Sequence, residues 1–311
     1  MAENNSIKNQ ALAAGVGYTT YKGSKMLCGK AFRPYCKGVF ANMRNLSSQN
    51  SDALKQAVSD AFENSGLKAK GVVISDIKPE QKGEFTEIFV SKFQKYVSKI
   101  IEAMNKKVYG NNIPEAVNAY NAKLIDVLGK YLKNGKSVNR LADVISEGGN
   151  AAYHPLFSNI MVNLDKLSSA TFHEMGHALN SRSGKLLKTL FWGRHALAYL
   201  IPLFFAIGLL KNKKQEGEKP QGVTDKMNTF IKDNAGKLTF AAAIPTLAEE
   251  GLASIRGAKL ASKVIQDKNL LKKINIANAR AWSTYFIGAV LTPMLIRLAI
   301  NTRDKVASQN S

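Results

Sequence analysis

The chain has 311 residues, of which 45% are hydrophobic and 22% charged, a balance that excludes disorder, collagen-like repeats and coiled-coil arrays. Two cysteines, Cys28 and Cys36, form no CxxC pair and cannot build a disulfide framework, so a reducing, cytosol-facing compartment is expected. Lys and Arg outnumber Asp and Glu 44 to 23, giving +21 spread over both halves; the field favours an anionic membrane face, and no nucleic acid is expected because no recognition motif accompanies it.

The N-terminus has Glu3 where a secretory leader needs basic residues, and its small-residue run 11–17 reads as a glycine-rich lead-in lying against a membrane or another helix. Residues 51–66 predict a helix, with Ser51 or Asp52 as N-cap and Gly66 as its stop. A β-rich run at 71–77 predicts a strand. Helical apolar spacing recurs at 85–108 and 115–132, on either side of the breaker Gly110-Asn-Asn-Ile-Pro114. Residues 150–163 read as a β-hairpin turning at Pro155–Ser158, with Asn159, Ile160, Met161, Val162 and Asn163 as its second strand. That strand is the expected edge strand, free to hold an extended polypeptide by β-augmentation.

Next comes His173-Glu174-Met175-Gly176-His177. Histidines four apart on a helix are about 40° apart around its axis, so both imidazoles face one point. Neutral imidazole is a good ligand for Zn2+, and the intervening Glu174 is placed to act as general base on a metal-bound water. The competing reading is a capping box, Thr171-x-x-Glu174, opening a helix with a polar histidine stripe.

A catalytic zinc takes three protein ligands and keeps one position open. The candidate third ligand is Glu250, at the head of a stripe of small residues, Ala253, Ser254, Gly257 and Ala261, on one helical face. Such a face allows close approach to the histidine helix, which would give Gly257 a reason to sit inside a helix. Glu249, about 100° round the axis, is the second choice, and a solvated acidic pair at a helix start is the bland one. For the oxyanion, His195, Tyr199, Tyr153 and His154 are the candidates, with His195 the one assigned a catalytic role.

Two long apolar runs follow in the second half, 189–210 and 281–300, and a weaker one spans 238–247. The uncharged stretch 196–210 is 15 residues, about 22 Å as a helix, against a hydrocarbon core of about 30 Å. A buried core helix is the alternative for each. Trp192 and Trp282 near the starts, and the flanks Lys211, Lys213, Lys214, Arg297 and Arg303, favour the membrane, with Arg194 snorkelling.

HEMGH followed by Glu250-Gly-Leu-Ala253-Ser254 resembles the gluzincin metalloproteases. It is most similar to the membrane-bound HtpX-like and CAAX-prenyl-endopeptidase group, in which HExxH, hydrophobic segments and ExxAD follow in order. The resemblance implies a zincin-like core, His173, His177 and Glu250 as ligands of one Zn2+, and Glu174 as general base. It departs at Ser254, where the family has an Asp that orients the first histidine; Ser254 is left as a weaker hydrogen-bonding partner.

The expectation is an α+β, mostly α chain. A helical region of unassigned role fills 1–149, a zincin-like core with the hydrophobic insertion 189–210 fills 150–265, and a hydrophobic helix with a basic tail fills 266–311. The expected activity is zinc-dependent hydrolysis of polypeptide at the cytoplasmic membrane, with the site facing the cytoplasm. The alternative is a non-enzymatic basic membrane-associated protein with a degenerate or structural metal site.

Overall fold

In a computed structural model, residues 2–134, 136–212 and 220–309 are described. The chain is mostly helical with one small three-stranded sheet. It divides into two compact units: Phe40–Leu179 with Ile255–Asn275, and Met1–Val39, Asn180–Ser254 and Ile276–Ser311.

The first of these holds the sheet. Helix α1 (Ala2–Gln49) ends in it and α2 (Ser51–Asn64) follows, with Asn50 rather than Ser51 or Asp52 at the N-cap position. Gly66 takes φ +70, the left-handed conformation that ends a helix and that a side chain disfavours. Strand β1 (Val73–Asp76) leads into α3 (Lys82–Tyr109), which is joined through Gly110 at φ +64 to α4 (Glu115–Asn134). Helix α5 (Lys136–Ser146) then brings the chain to β2 (Ala152–His154) and β3 (Asn159–Val162). The hairpin turns at Ser158, φ 50, whose amide donates to Pro155 O at 3.3 Å.

The strand order is β1-β3-β2, with β3 parallel to β1 and antiparallel to β2. The expectation that Asn159, Ile160, Met161, Val162 and Asn163 form a free edge is therefore corrected. Strand β3 is central, its amides and carbonyls are spent on two neighbours, and all four residues are buried. The run of apolar residues signals this, because only a strand covered on both faces reads as continuously apolar. Beneath the sheet Met161 packs with Ile77, Phe85, Ala142 and Ile145. Each fully buried side chain of this kind contributes about 1.5–3 kcal/mol.

In the other unit, the glycine-rich first part of α1 is helical and lies against other helices. Gly17 has no room for a Cβ beside Leu209 and Ala299, so small residues here serve helix–helix contact. Helix α7 (Lys185–Ala198) and α8 (Leu200–Leu210) carry the first apolar run. Helix α9 (Gly222–Val264) and α10 (Lys268–Gln309) complete the chain. Ala235, Ile296, Ala299 and Ile300 pack with Leu209 as this unit's core.

Two stretches, Lys185–Leu210 and Lys268–Gln309, are long and apolar enough to cross a membrane. Of their most apolar windows, 12% and 28% is buried. The basic flanks need correction. Arg194 is bound to carboxylates, Lys211 pairs with Asp225, and Arg303 is buried beside Asp304 and Asn212. Lys213 and Lys214 lie outside the described residues. Trp282 donates its indole N–H to Leu247 O at 3.0 Å, so that group is used inside the protein.

Candidate metal centre

Helix α6 (Leu164–Ser181) carries the two histidines, and its start is tied to the sheet. Asp76, at the end of β1, accepts the Leu164 amide at 2.8 Å, and Asn163 Oδ1 accepts the Lys166 amide at 3.0 Å. Asn163 is thus a helix cap rather than a strand residue. Its own Nδ2 donates to Ser146 O at 2.6 Å. Leu167 leaves helical geometry at φ −144, ψ 31, so the regular helix begins after it.

The capping box of the alternative reading does not form. Thr171 lies inside the helix, not at its start, and its buried hydroxyl makes no hydrogen bond. Glu174 does not reach back to a cap. Its Oε2 accepts the backbone N–H of Tyr153 on β2 at 2.7 Å, across the interior of the unit. That amide points out of the ladder, because β2 has β3 on one side only.

His173 Nε2 and His177 Nε2 are 3.0 Å apart, with the rings at 84° to each other. Two nitrogens bound to one tetrahedral zinc at about 2.05 Å sit about 3.3 Å apart, so the pair has nearly the separation a metal requires. The donor atoms of His173, Glu174 and His177 all lie within 4.8 Å of one another. Glu174 and His177 are buried and His173 is partly buried. Two nitrogens and a carboxylate suit zinc better than magnesium or calcium, which prefer oxygen alone.

Helix α9 meets α6 through backbone. A Cβ at Gly257 would stand 2.7 Å from the Phe172 carbonyl carbon and 3.0 Å from the His173 amide nitrogen. No side chain can yield there, because both neighbours are main chain. The small-residue expectation holds at Gly257, and Ala253 and Ala261 are fully buried.

Glu250 and Glu249 belong to the other unit, and both are buried, which excludes a solvated acidic pair. Arg194 on α7 binds both: Nη1 donates to Glu250 Oε1 at 2.9 Å and also to Glu249 Oε2. Asn180 Nδ2 donates to Glu249 Oε1 at 3.0 Å. Sequence reading missed Arg194 as a carboxylate partner. Its isolation at the start of an otherwise uncharged run was the available signal, since a lone charge in apolar surroundings needs a partner. Ser254 is half-buried on the same helix.

Of the oxyanion candidates, His154 stacks on Phe157 with ring centroids 4.1 Å apart and sets its edge against Phe89. Tyr153 is buried and contributes its amide, while Tyr199 is 80% exposed between α7 and α8. His195 lies in α7, and its side chain is outside the described residues. Compared with known proteins, the chain matches no family model, no curated protein and no solved structure. The gluzincin resemblance therefore rests on the two motifs alone.

Proposed function

We propose that this chain is a zinc-dependent metallopeptidase of gluzincin type, held at a membrane by its apolar helices and working on polypeptide on the cytoplasmic side. The observation that carries the reading is the convergence of His173, His177 and Glu174, with the Glu174 carboxylate aimed by the Tyr153 amide. His173 and His177 would hold the metal. Glu250 is the proposed third ligand because it shares a face of α9 with Gly257, two turns earlier at about 10 Å along the axis. Ser254 stands beside it in the position assigned to a weaker hydrogen-bonding partner.

Zinc bound there supplies a Lewis acid and an acidified water. Glu174 supplies the proton transfer. With Oε2 held by the Tyr153 N–H, the other oxygen is left to take a proton from water and hand it to the leaving amine. An extended substrate is best held by the outer edge of β2, which runs beside Glu174, and not by the central β3. The apolar runs support membrane attachment by their length and composition, and few of the residues in their most apolar windows are fully buried.

The test is metal analysis of the purified chain together with hydrolysis of an unstructured polypeptide such as casein. The reading predicts zinc near one per chain and hydrolysis lost in Glu174→Gln with the zinc retained. Zinc retained with no hydrolysis by the unaltered chain would instead support a structural metal in a non-enzymatic protein. No zinc at all would end the reading.

A further inference from the structure

Helices α3 and α4 form an antiparallel hairpin. Lys133 near the end of α4 pairs with Glu87 near the start of α3 at 3.0 Å, and Gln94 Nε2 donates to Ile125 O at 3.2 Å. The facing side of α4 runs through Val117, Asn121, Ile125 and Gly129, and Gly129 lies against the Gln94 side chain. About 100° round the axis from that side, at i, i+4, i+7 and i+11, stand Tyr120, Leu124, Val127 and Tyr131. All four are exposed, Tyr120 by 67% and Tyr131 by 75%.

The same rotation on α3 gives Tyr96, Ile100 and Met104, each one residue before the half-buried Val97, Ile101 and Asn105. These too are exposed, Met104 by 62%. In an antiparallel pair, equal rotation in the same sense brings the two stripes to the same side. The opposite rotation leads to Lys95, Glu102 and Lys106 on α3 and to Asn118, Asp126 and Lys133 on α4. The hairpin therefore has one apolar, tyrosine-rich face and one charged face. The outer borders of the apolar face carry Lys92, Lys99 and Lys107 on α3 and Lys123 and Lys130 on α4.

We propose that this hairpin is a membrane-contacting arm that lies flat on an anionic bilayer, with its tyrosine-rich face at the boundary of headgroups and acyl chains. Three features select lipid over a protein partner. The tyrosines present an apolar ring and a polar hydroxyl, which suits an interface of mixed polarity. The lysines flank the face on both sides, where their stems cover apolar surface and their ammonium groups meet lipid phosphate and carboxylate. The chain as a whole carries +21, so an anionic surface also attracts it from a distance. The inference rests on the reading that the chain meets a membrane, but uses neither the metal site nor the apolar helices.

The test uses the full chain with Cys28→Ser and Cys36→Ser, reconstituted in vesicles of phosphatidylcholine with or without phosphatidylserine. Nitroxide labels are placed singly through Met104→Cys, Val127→Cys, Glu102→Cys and Asn118→Cys, with Leu203→Cys on α8 reporting the apolar helices. With phosphatidylserine, labels at 104 and 127 should lose contact with a water-soluble nickel complex and gain contact with oxygen. Labels at 102 and 118 should stay open to nickel. Phosphatidylcholine alone, or joint Lys→Gln changes at 92, 99, 107, 123 and 130, should reverse the effect at 104 and 127. Nickel access at all four hairpin positions, with the 203 label in oxygen-rich lipid, would overturn the arm while leaving membrane attachment standing. Nickel access at 203 as well would remove attachment itself. Spin–spin broadening at 127 in detergent and vesicles alike would mean that a second copy covers the face, which also overturns the proposal.

Discussion

Glu174 and Gly257 show how differently single residues act here. Glu174→Gln keeps shape and the bond from the Tyr153 amide but cannot take up a proton, so hydrolysis should fall by at least about a hundredfold with metal content unchanged. His177→Ala should remove the metal as well, which elemental analysis separates from the first outcome. Gly257→Ala sets two effects against each other. Ala favours helix by about 1 kcal/mol over Gly, but its Cβ meets the Phe172 and His173 main chain, which cannot move aside without shifting α6. The clash should win, giving a net loss of about 1–3 kcal/mol in a denaturant titration and weaker metal binding. Asp165 is held below its ordinary carboxyl range by hydrogen bonds from Lys55 and then Lys78, offset in part by burial. A depressed folded pKa means stability present above the ordinary carboxyl range and lost as pH falls through the lower folded value. Asp165→Asn should therefore flatten the acid limb of the unfolding curve; the group is largely exposed, so the change is at most about 1 kcal/mol.

Helix α6 depends on what holds its ends. Asp76 from β1 and Asn163 fix its first turn, so the sheet, not the helix's own propensity, sets the height at which the histidines sit. Helix α7 is tied through one residue. Arg194 holds two buried carboxylates of α9, and Arg194→Met would leave both without that cation. Removing one partner of a buried ion pair costs about 3–5 kcal/mol, so the variant should unfold several degrees earlier. Arg194→Lys should recover only part of the loss, because it keeps the charge on one nitrogen but places it on a shorter stem of different shape.

Taken entire, the chain pairs a unit built on a small sheet with one rich in apolar helices, and under a net charge of +21 the bilayer is the expected surface. The full-length chain should sediment with membranes after lysis and resist extraction by high salt, but dissolve in detergent. Release by salt alone would mean that charge, not the apolar surface of α8 and α10, holds it there.

Residue type and period were enough for what is local. The helices around Gly110, the strand at 71–77, the hairpin at 150–163 and the facing histidines each follow from spacing within a few turns of chain, where backbone geometry alone decides. The clustering of the motif's side chains was legible for the same reason, since two imidazoles and a carboxylate on one turn converge whatever surrounds them. Pairing over long separations was not. That β3 is central depends on β1, more than 80 residues earlier, closing its second edge. That Arg194 binds Glu249 and Glu250 depends on α9 folding back over α7, and that Asn163 caps a helix depends on where β3 stops. Strand order and ion-pair choice are set by which surfaces meet, and that is a property of the folded chain rather than of any window within it.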